Sequence, residues 1–220
     1  MAIQISVNGL AKFMKASAAA QRTLLCNQKF PYTADGKKRP QIVRYSEAQT
    51  AIRKYHESGN DVSVLLTAIE VLLKKEIEHP EKDASRIKDN VRAVKTYMTH
   101  FARNKFTILE TPKPKYQHGE VIVSATPDLY VDEGGGKKLI KLDFNMPKPD
   151  EEVVQIILKV MHEAAMMNGL DLQPKDIIYL DVSRQTQHTG KALNKRLKRD
   201  IDAACETIAD IWPRIKQSSS

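Results

Sequence analysis

Three side chains in the middle of the chain have the types and spacing for phosphoryl chemistry: Asp128, Lys141 and Asp143. Two carboxylates held close together suit a hard dication such as Mg2+ or Mn2+. Such a cation polarises a phosphoryl oxygen and lowers the pKa of a bound water. A neighbouring ammonium then orients that water or offsets the developing charge. The trio must sit on one rigid surface, because small misplacements are costly. A plainer reading stands beside this one. Lys141 and Asp143 also read as a solvated charge pair on an exposed strand face, and Asp128, after Pro127, as a turn or strand-edge residue.

The elements around these residues predict how they are held. Leu139 to Phe144 alternates, which puts Lys141, Asp143 and Asn145 on one face and Ile140, Leu142 and Phe144 on the other. Leu129 to Val131 reads as the preceding strand, and Asp132 to Gly136 ends in three glycines, the signature of a hairpin turn. Asp128 is therefore expected to share a surface with Lys141, Asp143 and Asn145. Upstream, the apolar spacing predicts helices over 8–27, from Ser46 to near Gly59, from Asn60 or Asp61 to before Pro80, and over 83–104. Val121 and Val123 mark a further strand. Downstream come a helix capped by Asp150 and stopped at Asn168–Gly169, a strand over 177–182 and a long helix over 190–215. Pro31 to Pro40, with Lys37, Lys38 and Arg39, reads as an exposed basic loop, and Ser218–Ser220 as a frayed tail. The expected division is a helical N-terminal region, 1–82, and a core domain, 83–220.

Composition narrows the partners. The 220 residues carry 35 Lys and Arg against 27 Asp and Glu, a net charge of +8. That balance favours polyanions, since each neutralised phosphate releases counterions. No apolar run approaches the roughly 20 residues needed to span a bilayer, and the first ten residues lack the pattern of a secretory signal. Cys26 and Cys205 lie far apart and in no paired motif, which fits reduced thiols in a cytoplasmic protein rather than a cysteine metal site. There is no Walker A loop, no GxGxxG and no GxSxG, and the glycine run is too short to cradle a phosphate. His162, among Met161, Met166 and Met167, reads as core packing, and Trp212 as an anchor of the last helix.

The runs Ser124-Ala-Thr-Pro-Asp-Leu-Tyr and Leu139-Ile-Lys-Leu-Asp-Phe resemble motifs two and three of the PD-(D/E)XK nuclease superfamily, RecB-like branch. The order of elements from 83 to 215 is similar to that family's core, so the resemblance covers about 130 residues. It implies an α/β (α+β) fold in which N-terminal helices precede a restriction-endonuclease-like core, a small central mixed sheet flanked by helices. It gives Asp128 the role of a metal ligand, with Asp143 and then Glu120 as further ligands and Lys141 as the assisting lysine. The third motif departs from the pattern: the family has acid, any residue, lysine, and this chain has Lys141, Leu142, Asp143. The first-motif acid has no clear counterpart, Asp89 being one candidate. Gln155 resembles the glutamine that RecB-type members carry on the following helix.

The function implied is metal-dependent hydrolysis of DNA phosphodiester bonds, with Mg2+ or Mn2+ as cofactor. On that reading Asp128→Ala abolishes cleavage and leaves the fold intact. Gln155, Arg184, His188, Lys191 and Lys195 would touch the nucleic acid, although the polar loop at 184–188 and the basic run from Lys191 to Arg199 read equally as ordinary surface. The alternative is a nuclease-fold subunit that has lost catalysis, binds nucleic acid and meets a protein partner through its N-terminal helices. The reversed motif and the missing first acid favour it.

Overall fold

Ile3–Ser6 alternates buried and exposed side chains and forms a short strand, β1, absent from the helical reading of this end. Ser6 caps α1 (Val7–Lys15), its hydroxyl accepting from Gly9 N at 3.0 Å. The single helix expected over 8–27 is two helices. Ala16 is extended, at φ −84° and ψ 151°, and Ser17 caps α2 (Ala18–Lys29). Then follow α3 (Ser46–Glu57), α4 (Val62–Glu78), α5 (Ala84–His100), β2 (Thr107–Ile108), β3 (Lys115–His118), β4 (Val121–Ser124), β5 (Leu129–Glu133) and β6 (Gly136–Asp143). Asp150 caps α6 (Glu151–Met167), accepting from Glu152 N at 2.8 Å, and the helix stops at Asn168 and Gly169, whose φ is 77°. The chain ends with β7 (Ile177–Asp181), β8 (Thr186–Thr189) and α7 (Lys195–Ile211). This computed structural model describes residues 2–30, 44–78, 84–191 and 195–216; the basic segment at Lys37–Arg39 and the tail Ser218–Ser220 lie outside the described residues.

The expected hairpin forms. Gly134 and Gly135 take φ of 62° and 87°, in the left-handed region that glycine enters freely. Asp132 Oδ1 accepts from Gly135 N at 2.8 Å and locks the turn. β6 therefore pairs antiparallel with β5, and Leu129 lies opposite Ile140. β6 also pairs parallel with β7, placing Lys141 opposite Tyr179 and Asp143 opposite Asp181. The central sheet runs β2-β5-β6-β7-β8. The stretch expected to be a polar loop at 184–188 is largely strand, because Thr186 to Thr189 pairs antiparallel with β7. Val121 and Val123 belong to a second sheet, β1-β4-β3, since the chain leaves the ladder through Ala125 to Pro127.

Helices cover both faces of the central sheet, so the chain has an α/β fold with helices flanking a mixed sheet. Leu129, Val131, Ile140, Leu142, Phe144, Ile178 and Leu180 pack on α3, α4 and α5. Tyr130, Leu139, Ile177 and Tyr179 pack on the other side with α6, α1, α7 and the small sheet. β7 is buried along its whole length for that reason. Both apolar clusters draw on residues from either side of the expected boundary at 82/83. Among the described residues, no helix is long and apolar enough to cross a membrane.

One buried polar network gives a pH prediction. His56 is 2% exposed, with Nδ1 2.7 Å from Asn60 Oδ1 and Nε2 2.6 Å from the Tyr97 hydroxyl. Burial holds its pKa below the usual imidazole value, and the Lys105 charge pushes the same way. Below about pH 6.5 the unfolded chain binds a proton that the folded chain refuses, so stability falls with pH. Denaturant midpoints should drop between about pH 7 and pH 5, and His56→Gln should flatten that dependence.

Candidate functional site

Asp128 sits one residue before β5, where the backbone ladder of the hairpin ends. Its N–H donates to Ile140 O at 2.9 Å, and its Oδ2 accepts from Leu142 N at 2.7 Å. The carboxylate thus replaces the carbonyl that β5 would need to extend further. Lys141 Nζ lies 3.1 Å from both Asp128 oxygens, and each of the two side chains is 16% exposed. Gln49 of α3 donates to Oδ1 at 3.4 Å. Both Asp128 oxygens are therefore held by protein donors, Oδ1 by Lys141 and Gln49 and Oδ2 by Leu142 N–H and Lys141.

Asp143 shares the strand face but not the pairing. It is 7% exposed; Oδ2 accepts from the Tyr179 hydroxyl at 2.7 Å, and Oδ1 from Asn145 N at 3.1 Å and from the Asn145 amide. Burial raises the Tyr179 pKa, and the charges of Asp143, Asp181 and Asp128 raise it further, so the phenol stays a neutral donor. Asp181, fully buried opposite Asp143, accepts from Arg184 N at 3.0 Å and from the Arg184 guanidinium at 3.2 Å. Three carboxylates thus line the end of one sheet face, each bound by its own donors. Among the described residues, no group of three or more His, Cys, Asp or Glu side chains is arranged to hold a metal. These donors do not fit a resident Mg2+ or Mn2+: binding one would require breaking the Asp128–Lys141 pair or releasing Asp143 from Tyr179 and Asn145.

The other expected residues scatter. Glu120 is exposed in the turn before β4, and the four-residue strand, about 13 Å long, separates it from the Asp128 end. Asp89 pairs with Arg44 and, at 2.8 Å, with Arg92. Gln155 and Lys191 line a groove of about 850 Å3 between α6, α7 and α1, on a different side of α6 from Asp143. Arg184 ties the β7–β8 turn to the chain after β6, through Asn145 O at 3.3 Å and Met146 O. Its guanidinium is committed to structure. His188 stands on β8 opposite Tyr179, with ring centroids 6.2 Å apart. Lys195 is exposed at the start of α7.

A cleft of about 470 Å3 opens above Lys141 and Asp143. α1 supplies Asn8 and Lys12, the chain leading into α3 supplies Arg44 and Tyr45, and the link from β6 to α6 supplies Asn145 and Lys148. Four cations line it against one carboxylate, Asp143. Arg44 is paired with Asp89 and Lys141 with Asp128. Lys12 and Lys148 are exposed and make no ion pair among the described residues. Of these residues only Asn145 carried a signal in the sequence, as the next position on the polar face of β6. Lys12 and Gln49 arrive from helices far along the chain, and Tyr179 reads as one more apolar strand residue. No family model matches the chain, and no curated protein matches its sequence.

Proposed function

We propose that the chain is a nucleic-acid-binding module that works without a metal and does not cleave the backbone it holds. The observation that carries this is the Lys141 ammonium, 3.1 Å from both oxygens of Asp128. It neutralises the carboxylate that a hard cation would need. The cationic cleft above it supports a polyanionic ligand, and phosphate contacts there would position a strand without reading its sequence. The order of elements and the shared strand face of Asp128, Lys141 and Asp143 support kinship in layout with the PD-(D/E)XK nucleases. The same three positions also support the rival reading, metal-dependent hydrolysis. An exposed apolar stripe on α4 (Val62, Leu66, Leu73 and Ile77) supports a protein partner on the N-terminal helices. The free thiols Cys26 and Cys205 are compatible with a cytoplasmic setting.

The test is binding and cleavage in one assay, with a labelled oligonucleotide and the full chain. Binding should weaken steadily between about 50 and 200 mM salt and be unchanged by EDTA, and neither Mg2+ nor Mn2+ should produce cleavage. Metal-dependent cleavage abolished by Asp128→Ala would establish the nuclease reading instead. Failure to bind at low salt would remove nucleic acid from the account.

A further inference from the structure

We infer that the cleft over Lys141 takes a single strand of nucleic acid, along a path only a few nucleotides long, and does not take a duplex. This rests on the reading of the cleft as a nucleic-acid interface and adds the class of ligand. Two features of the cleft carry it.

The first is size. A volume of about 470 Å3 is that of a pocket for one small organic unit. It is walled by α1 on one side and by the segment from Pro147 to Pro149 on another. A duplex is bound over a broad surface, typically about 1,000 Å2 or more for specific recognition, with many phosphate contacts. The cations here converge on a confined space instead. Among the described residues Lys12 and Lys148 make no ion pair, whereas Arg44 and Lys141 already hold Asp89 and Asp128. That is enough charge for about two to four phosphates, counting one for each cation.

The second is the aromatic wall. Tyr45 lines the cleft, and its ring packs against Phe144 with centroids 5.2 Å apart and planes tilted by 30°. A ring braced in this way beside cations is the combination that single strands use: the backbone follows the charge and an unpaired base lies on the ring. A duplex keeps its bases stacked on one another and offers none to Tyr45. The ribose or deoxyribose of the strand is left open by this chemistry.

The experiment measures anisotropy of the full chain with a labelled single-stranded DNA, the matching single-stranded RNA and the DNA duplex, across a salt series. Both or either of the single strands should bind at least about tenfold more tightly than the duplex, and the better of the two identifies the sugar. The slope of log K against log salt should lie between about −1.4 and −2.8, from two to four contacts at about 0.7 each. Lys148→Ala should make it shallower by about 0.7, and Tyr45→Leu should weaken single-strand binding about fivefold or more with the slope unchanged. Equal or tighter duplex binding that Lys12→Ala and Lys148→Ala still weaken would overturn the inference and leave the cleft as a nucleic-acid interface. Single-strand binding that none of the three variants alters would place the strand elsewhere and overturn it too. No binding of any of the three ligands would remove both.

Discussion

Asp128→Ala is expected to lower the stability of the chain by about 3 kcal/mol, a fall in melting temperature of about 6–12 °C for a protein of this length. The substitution takes the acceptor from three donors at once: Leu142 N–H, bonded at 2.7 Å, the Gln49 amide at 3.4 Å, and the Lys141 ammonium, which is only 16% exposed. An unpaired backbone N–H costs about 1–3 kcal/mol, and an orphaned ammonium adds to that, discounted here because part of it reaches water. Asp128→Asn keeps an oxygen for Leu142 N–H but turns its amide NH2 toward the Lys141 and Gln49 donors, so it should cost less than Asp128→Ala, about half as much. Thermal melts of the two variants check this. The metal-ligand expectation from sequence is the opposite, a variant that folds normally and fails only in catalysis. A melting temperature for Asp128→Ala within about 2 °C of the wild type would show that the carboxylate is not part of the framework.

The second large effect is a gain. Lys141→Asp removes the ammonium from beside Asp128 and puts a fourth carboxylate on the sheet face that already carries Asp128, Asp143 and Asp181. Without metal the variant should be destabilised at neutral pH, since like charges are held together in a partly buried place. It should recover some stability as pH falls and the carboxylates take up protons. Mn2+ or Mg2+ should restore it directly: a cation present at about 100 times its Kd contributes about 2.7 kcal/mol. Melting curves with and without metal should therefore separate for Lys141→Asp and coincide for the wild type. Equal metal responses in both proteins would mean that Lys141 does not occupy the cation's place.

The hairpin that brings Asp128 to Lys141 was legible because its signals are local. Three glycines after Asp132 demand a turn, and the alternation from Leu139 to Phe144 assigns each side chain to a face. The Asp150 cap and the stop at Asn168–Gly169 were legible for the same reason. Partner choice was not. Alternation puts Lys141 and Asp143 on one face but does not say that Lys141 turns to Asp128 while Asp143 turns to Tyr179 and Asn145. Those choices depend on the β6–β7 register and on Gln49, which reaches the site from 79 residues upstream. The break between α1 and α2 and the short strands β1 and β8 were missed because each is four residues or fewer of ambiguous pattern; β1 is settled by pairing with distant β4, β8 by folding back on β7, and the helix break by the extended Ala16 and the Ser17 cap. Glu120 is drawn toward the metal in the sequence by its place beside the first strand, yet extended β4 lies between it and Asp128.

The claim on which the rest depends is that a lysine ammonium stands where a nuclease of this layout would keep its cation. Electron paramagnetic resonance of Mn2+ titrated into the wild-type chain tests it most directly, because bound and free ions give distinguishable spectra. The account predicts the free-ion signal throughout the micromolar range, at full intensity. A bound signal that Asp128→Asn abolishes would contradict it and restore the metal-dependent reading.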